Sequence, residues 1–141
     1  MLQGRTRRLL ALVGAAYVAA FLLIGFWPSP VDAPIDGSLG RVLEFLHSVG
    51  VPDVVDFRFV ERAANVLLFV PVGALTAAQL NRRHWWIALV ASIALSGSIE
   101  LGQALLLPGR NMSWSDILTN SVGAAIGVGI TMLVRRRKVG Q

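Results

Sequence analysis

Glu100 and Gln103 lie inside the apolar run Trp85 to Leu107, and Arg110, Asp116 and Asn120 follow just beyond it. Glu61, Arg62 and Asn65 stand at the head of another apolar run. Two carboxylates can exchange protons as general acid and base, or they can orient an arginine or a cationic ligand group. The amides of Asn65, Gln103 and Asn120 each offer a donor and an acceptor. Arg110, or Arg62 from the neighbouring run, is the cation expected to face Glu100. Such a set can close a hydrogen-bonded network or hold a polar head group. It lacks the parts of most enzymes. The two histidines, His47 and His84, lie in other segments, and no HExxH, Walker motif or cysteine is present. No metal and no cofactor is expected.

These side chains need elements that bring them to one level. The chain has 141 residues, 55% hydrophobic and only 15% charged, with mean hydropathy +0.64. Soluble domains carry about 25% charged residues. The apolar residues are bunched in runs near the roughly 20 residues that a spanning helix needs. The expectation is an all-α integral membrane bundle forming a single domain over 1–141. Its spans are read at about 9–27, 63–80, 85–107 and 117–134. The second and fourth runs are short and admit starts at Val60 and Ser113.

Charge placement predicts the orientation. Arg5, Arg7 and Arg8, then Arg82 and Arg83, then Arg135, Arg136, Arg137 and Lys138 occupy segments without acids. Every Asp and Glu lies elsewhere. The positive-inside rule then puts both termini in the cytoplasm and loops 28–62 and 108–116 outside. The net charge of +5 is thereby read as a topology anchor beside anionic headgroups, and no nucleic-acid partner is expected. The first span resembles a signal peptide in its basic start, but it exceeds the 7–15 residues of a usual signal core, so a retained anchor is favoured. Leu39, Val42, Leu43, Leu46 and Val49 recur at helical spacing in the outer loop. They predict an interfacial helix over about 39–49, capped by Ser38 and stopped at Gly50-Val51-Pro52. His47 at its edge is read as an interfacial polar residue.

With this orientation, spans two, three and four each carry polar residues toward the outside. Glu100 lies about 10 Å of helix before Leu107 at 1.5 Å per residue. Gln103 shares its face, as Asn120 shares that of Asp116. An ionised group at bilayer depth costs roughly 2.5–3.5 kcal/mol on insertion scales. Polar pairing between helices typically returns about 0.6 kcal/mol. Glue alone accounts for the amides more readily than for two acids and an arginine. Pro71 in span two frees the carbonyl of Leu67. Gly123 and Gly127 form a GxxxG that Gly129 extends. That face would serve packing within the chain or contact with another copy or another membrane protein. Trp85 and Trp86 mark one interface, Trp27 and Trp114 the other.

The segment from Asn65 through Phe69, Pro71 and Gly73 to Leu75 resembles the VanZ-like family. So do Glu100-Leu-Gly-Gln103 and the series Arg110, Ser113, Ser115, Asp116, Asn120, Gly123 and Gly127. The matching segments cover spans two to four; the first span and the outer loop carry no such signature. The resemblance implies a small multi-span bacterial membrane protein of the cell envelope. Its family's named member is linked to resistance to glycopeptide antibiotics, notably teicoplanin. Pro71, Gly73, Gly123 and Gly127 are read as structural, and the resemblance leaves the activity open.

Three functions fit these residues. The favoured one binds or handles an amphiphile at the outer leaflet through Asn65, Glu100, Gln103, Arg110, Asp116 and Asn120. The amphiphile is a lipid, a lipid-linked cell-wall intermediate or a lipophilic antibiotic. The second is an intramembrane enzyme using Glu100 and Asp116 as acid and base. The third is an assembly subunit in which the cluster only supports folding.

Overall fold

The structure, a computed structural model, describes residues 2–26, 33–107 and 111–139, with the side chains of 4–23, 26, 37–107 and 111–137. All regular structure among them is helical: α1 Leu2–Gly25, α2 Ala33–Ser48, α3 Phe57–Gln79, α4 Trp85–Leu106 and α5 Trp114–Val139. Four of these helices are long and apolar enough to cross a membrane, all but α2.

Cross-helix contacts give the directions. Val66, Val70, Ala74 and Ala78 of α3 meet Gly123, Gly127, Thr131 and Arg135 of α5 in turn. The separation is 57 residues in the Ala74–Thr131 and Ala78–Arg135 pairs, so α3 and α5 run parallel. Tyr17 donates to the Leu68 carbonyl at 2.8 Å, and Gly14 lies against Leu75. α1 is therefore antiparallel to α3. α4 is antiparallel to α3 and α5, with Ala88 near Ala77 and Val128 in one cluster and Ile99 near Phe69 and Ala124 in another. The spans alternate. The start of α1, the tight link Arg82–His84 and the end of α5 share one end of the bundle. The end of α1, the start of α3, the end of α4 and the start of α5 share the other.

The α3–α5 seam is the closest. A Cβ on Gly73 would collide with the carbonyl of Ala124, one on Gly123 with that of Val66, and one on Gly127 with that of Val70. Only glycine lets the two backbones come so near. Gly129, expected to extend this strip, has open space around its Cα. Phe69 fills the centre and meets Phe21 of α1 edge-to-face at 5.7 Å between ring centroids. Larger apolar side chains point outward: Leu67, Leu105 and Leu118 are 70, 74 and 66% exposed. In a bilayer that surface faces acyl chains, as expected where lipid is the solvent.

Helix ends differ from the spacing-based expectations. α3 starts before Val60, because Asp56 caps it by accepting the Phe59 N–H at 2.7 Å. Its first turns therefore carry Arg58, Glu61 and Arg62. α2 begins before Ser38, which lies inside the helix rather than capping it. It stops at Ser48, and Gly50 follows at φ +99°, a left-handed conformation that suits glycine. His47 Nε2 lies 3.1 Å from the Val55 carbonyl, tying α2 to the turn before α3. Trp27, Pro28, Pro30, Pro108 and Gly109 fall outside the described residues.

Arg135 changes the reading of the C-terminal basic run. Its guanidinium donates to the carbonyls of Leu80 at 2.8 Å and Ala78 at 2.5 Å. These carbonyls end α3 and have no partner within it. One arginine of the presumed topology anchor thus closes the neighbouring helix.

Candidate functional site

Asn65, Glu100, Gln103, Asp116 and Asn120 all line a single cleft of about 620 Å³ at the end of the bundle away from the chain termini. Arg110 lies outside the described residues. α3 contributes Arg58, Glu61, Arg62 and Asn65 at successive turns, and α4 contributes Ile99, Glu100 and Gln103. From α5 and the segment before it come Asn111, Ser113, Ser115, Asp116 and Asn120. Phe21 of α1 supplies one apolar wall.

Two side chains anchor the cleft. Glu100 is buried, with 7% of its surface exposed. Its Oε2 accepts the Ser113 backbone N–H at 2.8 Å. Ser113 immediately precedes α5, and its hydroxyl accepts the Asp116 N–H at 3.2 Å, the geometry of an N-cap. The carboxylate of α4 thereby holds the capping residue of α5. It also stands near the positive end of the α5 dipole, where an anion is favoured. Asn120 is buried one turn deeper, and its Nδ2 donates to the Ser96 hydroxyl of α4 at 2.9 Å. Its Oδ1 is buried without a hydrogen-bond partner among the described residues.

The depth order follows from these contacts. Asn120 and Ser96 share one level, and Asn65 lies slightly deeper by the α3–α5 register. Glu100 lies four residues along α4 toward the open end, about 6 Å at 1.5 Å per residue. Gln103 lies further out on α4, as Asp116 does on α5. The cleft therefore gathers acids, amides and arginines from three helices, with Arg58, Glu61 and Arg62 exposed on α3 and Glu100 and Asn120 buried.

Arg58, Ser96, Asn111 and the backbone of Ser113 went unremarked as partners in the sequence. Arg58 was hidden because the apolar run starts later than the helix that Asp56 caps. Ser96 had a legible signal: Ser92, Ser96, Glu100 and Gln103 fall on one helical face. The amide of Ser113 has no signal in residue type, since any residue but proline supplies it. Pro71 lies more than a turn below Asn65 and does not line the cleft. Its freed Leu67 carbonyl adjoins the Leu68 carbonyl that receives Tyr17.

A family model described as VanZ/LLP1 matches residues 14–135. The match takes in all of the cleft and also the outer loop and the later part of the first span, which carried no recognised signature. No curated protein and no solved structure matches the chain.

Proposed function

The chain belongs to the VanZ-like family, and on that premise we propose that it binds or handles an amphiphile at the outer leaflet of a bacterial cytoplasmic membrane. The amphiphile is a lipid, a lipid-linked cell-wall intermediate or a lipophilic glycopeptide antibiotic. The observation that carries this reading is the cleft itself. In a chain whose other large surfaces are apolar, three helices turn charged and amide side chains into one space at one end. A charged head enters such a space while its tail stays against the exposed leucines and isoleucines of the bundle.

The orientation is part of the proposal. The arginine-rich segments gather at the end opposite the cleft, and the positive-inside rule makes that end cytoplasmic. The cleft then opens outward.

Native mass spectrometry with lipid analysis tests the reading on wild type, Glu100→Gln and Arg110→Ala. Arg110 enters by its sequence position between α4 and α5. Lipid held by wild type and reduced in both variants is expected; identical retention in all three overturns the proposal.

One observation favours a second reading. Glu100 and Asp116 line the same cleft, an arrangement that would serve acid–base work on a lipid-linked substrate. Turnover in reconstituted vesicles, lost in Glu100→Gln, would reverse the ranking.

A further inference from the structure

At the end of the bundle opposite the cleft, a second cavity of about 350 Å³ is lined by Arg82, Trp85, Met132 and Arg136. That volume falls within the range of small-ligand sites. Its two arginines come from different elements, Arg82 from the link between α3 and α4 and Arg136 from the end of α5. The adjacent Arg135 donates to the carbonyls of Leu80 and Ala78. Arg82 and Arg136 have no hydrogen-bond or ion-pair partner among the described residues. Segments 1–31, 62–99 and 117–141, which supply this end of the bundle, contain no Asp or Glu. Two like charges bordering one cavity repel, and an anion between them relieves the repulsion. Apolar surface adjoins them. Met132 packs against the cluster of Ala77, Ala88 and Val128. Trp85, Trp86 and Leu133 are exposed, and tryptophan suits the level of lipid headgroups.

We infer that this cavity holds the phosphate head of an anionic phospholipid, drawn from the leaflet at the arginine-rich end. Arginine forks match phosphate oxygens, and basic pockets between spans suit anionic headgroups. A zwitterionic head brings an ammonium that no carboxylate at this end balances. A soluble phosphodiester has no chains to lie against Met132, Trp85 and Leu133. The site is separate from the cleft and does not rest on the amphiphile reading above.

The purified full chain is offered equimolar phosphatidylglycerol, phosphatidylethanolamine and phosphatidylcholine in detergent, and retained lipid is read by native mass spectrometry. Phosphatidylglycerol retained about tenfold or more over the other two is expected, the scale of one charge-assisted hydrogen bond. Equal retention of all three by wild type overturns the inference, whatever the folding of any variant. Two double variants that remove the same charge then separate a site from a basic surface. Arg82→Ala with Arg136→Ala is expected to bring phosphatidylglycerol down to the level of phosphatidylcholine. Arg83→Ala with Arg137→Ala, at residues that do not line the cavity, is expected to keep the wild-type preference. Equal loss in both pairs, or loss in neither, overturns the site. Soluble glycerophosphoglycerol, equimolar with the lipid, is expected to leave the lipid bound, and displacement overturns the lipid assignment. Glu100→Gln is expected to retain phosphatidylglycerol as wild type does. Phosphatidylglycerol lost in Glu100→Gln but kept in the Arg82 and Arg136 pair assigns it to the cleft, which overturns this inference and leaves the amphiphile reading standing.

Discussion

The Glu100 carboxylate of α4 receives the backbone N–H of Ser113, 2.8 Å away, while the Ser113 hydroxyl receives the N–H of Asp116. One acid thus fixes the point at which α5 begins. Glu100→Ala removes the acceptor and leaves the Ser113 N–H half-buried, a loss of about 1–3 kcal/mol. Glu100→Gln keeps an acceptor and costs less. Unfolding of both variants in mixed micelles measures this difference. Equal destabilisation would dismiss the link to α5.

The glycines of the α3–α5 seam give a second expectation. Gly73→Ala, Gly123→Ala and Gly127→Ala each push a methyl into a facing backbone carbonyl. Overpacking of this kind typically costs about 1–3 kcal/mol. Gly129→Ala meets open space and gains helix propensity instead. Thermal melting in detergent should lower the transition for the first three and leave the fourth unchanged or raised. A uniform response of all four would mean that the seam is looser than its geometry.

Legibility in the sequence followed the physics of each feature. The four spans were readable because apolar runs of bilayer length have few other uses. The convergence of Asn65, Glu100, Gln103, Asp116 and Asn120 followed from alternation of the spans, which fixes depth along each helix. The ends of the helices were less legible. Asp56 caps α3 among charged residues, so hydropathy alone places the start too late. Gly129 shows the same limit from another side. Its spacing fits a small-residue strip, yet the rotation of α5 against α3 turns it away. One partner of Glu100 is a backbone amide, that of Ser113, and residue type does not announce backbone amides.

Arg135 separates two uses of basic residues at one helix end. It donates to the carbonyls of Leu80 and Ala78, whereas Arg137 is exposed. A hydrogen bond to a charged group contributes about 1.5–3 kcal/mol, and the pair here is worth less than its sum because water takes the place of the guanidinium at a half-buried helix end. Arg135→Ala should therefore destabilise the bundle by about 1–3 kcal/mol, and Arg135→Lys should recover only part of it, since an ammonium lacks the fork that reaches both carbonyls. Arg137→Ala should change stability little. Equilibrium unfolding of the three variants checks the ranking, and equal effects at 135 and 137 would reduce Arg135 to a headgroup anchor.

The orientation of the cleft is open to a direct chemical reading, because the chain contains no cysteine. Single substitutions Asn111→Cys and Ser115→Cys place a thiol at exposed positions of the cleft end. Gln79→Cys and Arg83→Cys place one at exposed positions of the opposite end. A membrane-impermeant maleimide added to intact spheroplasts should label the first pair at once and the second pair only after permeabilisation. The two positions within each pair must behave alike, because alternating spans put them at the same end of one bundle. A mixed pattern would therefore contradict the fold rather than the orientation. A clean reversal would keep the fold and the cleft but move the cleft to the cytoplasmic leaflet. That outcome would exclude ligands presented only from outside, the glycopeptide antibiotics first among them. Lipids that both leaflets carry would remain.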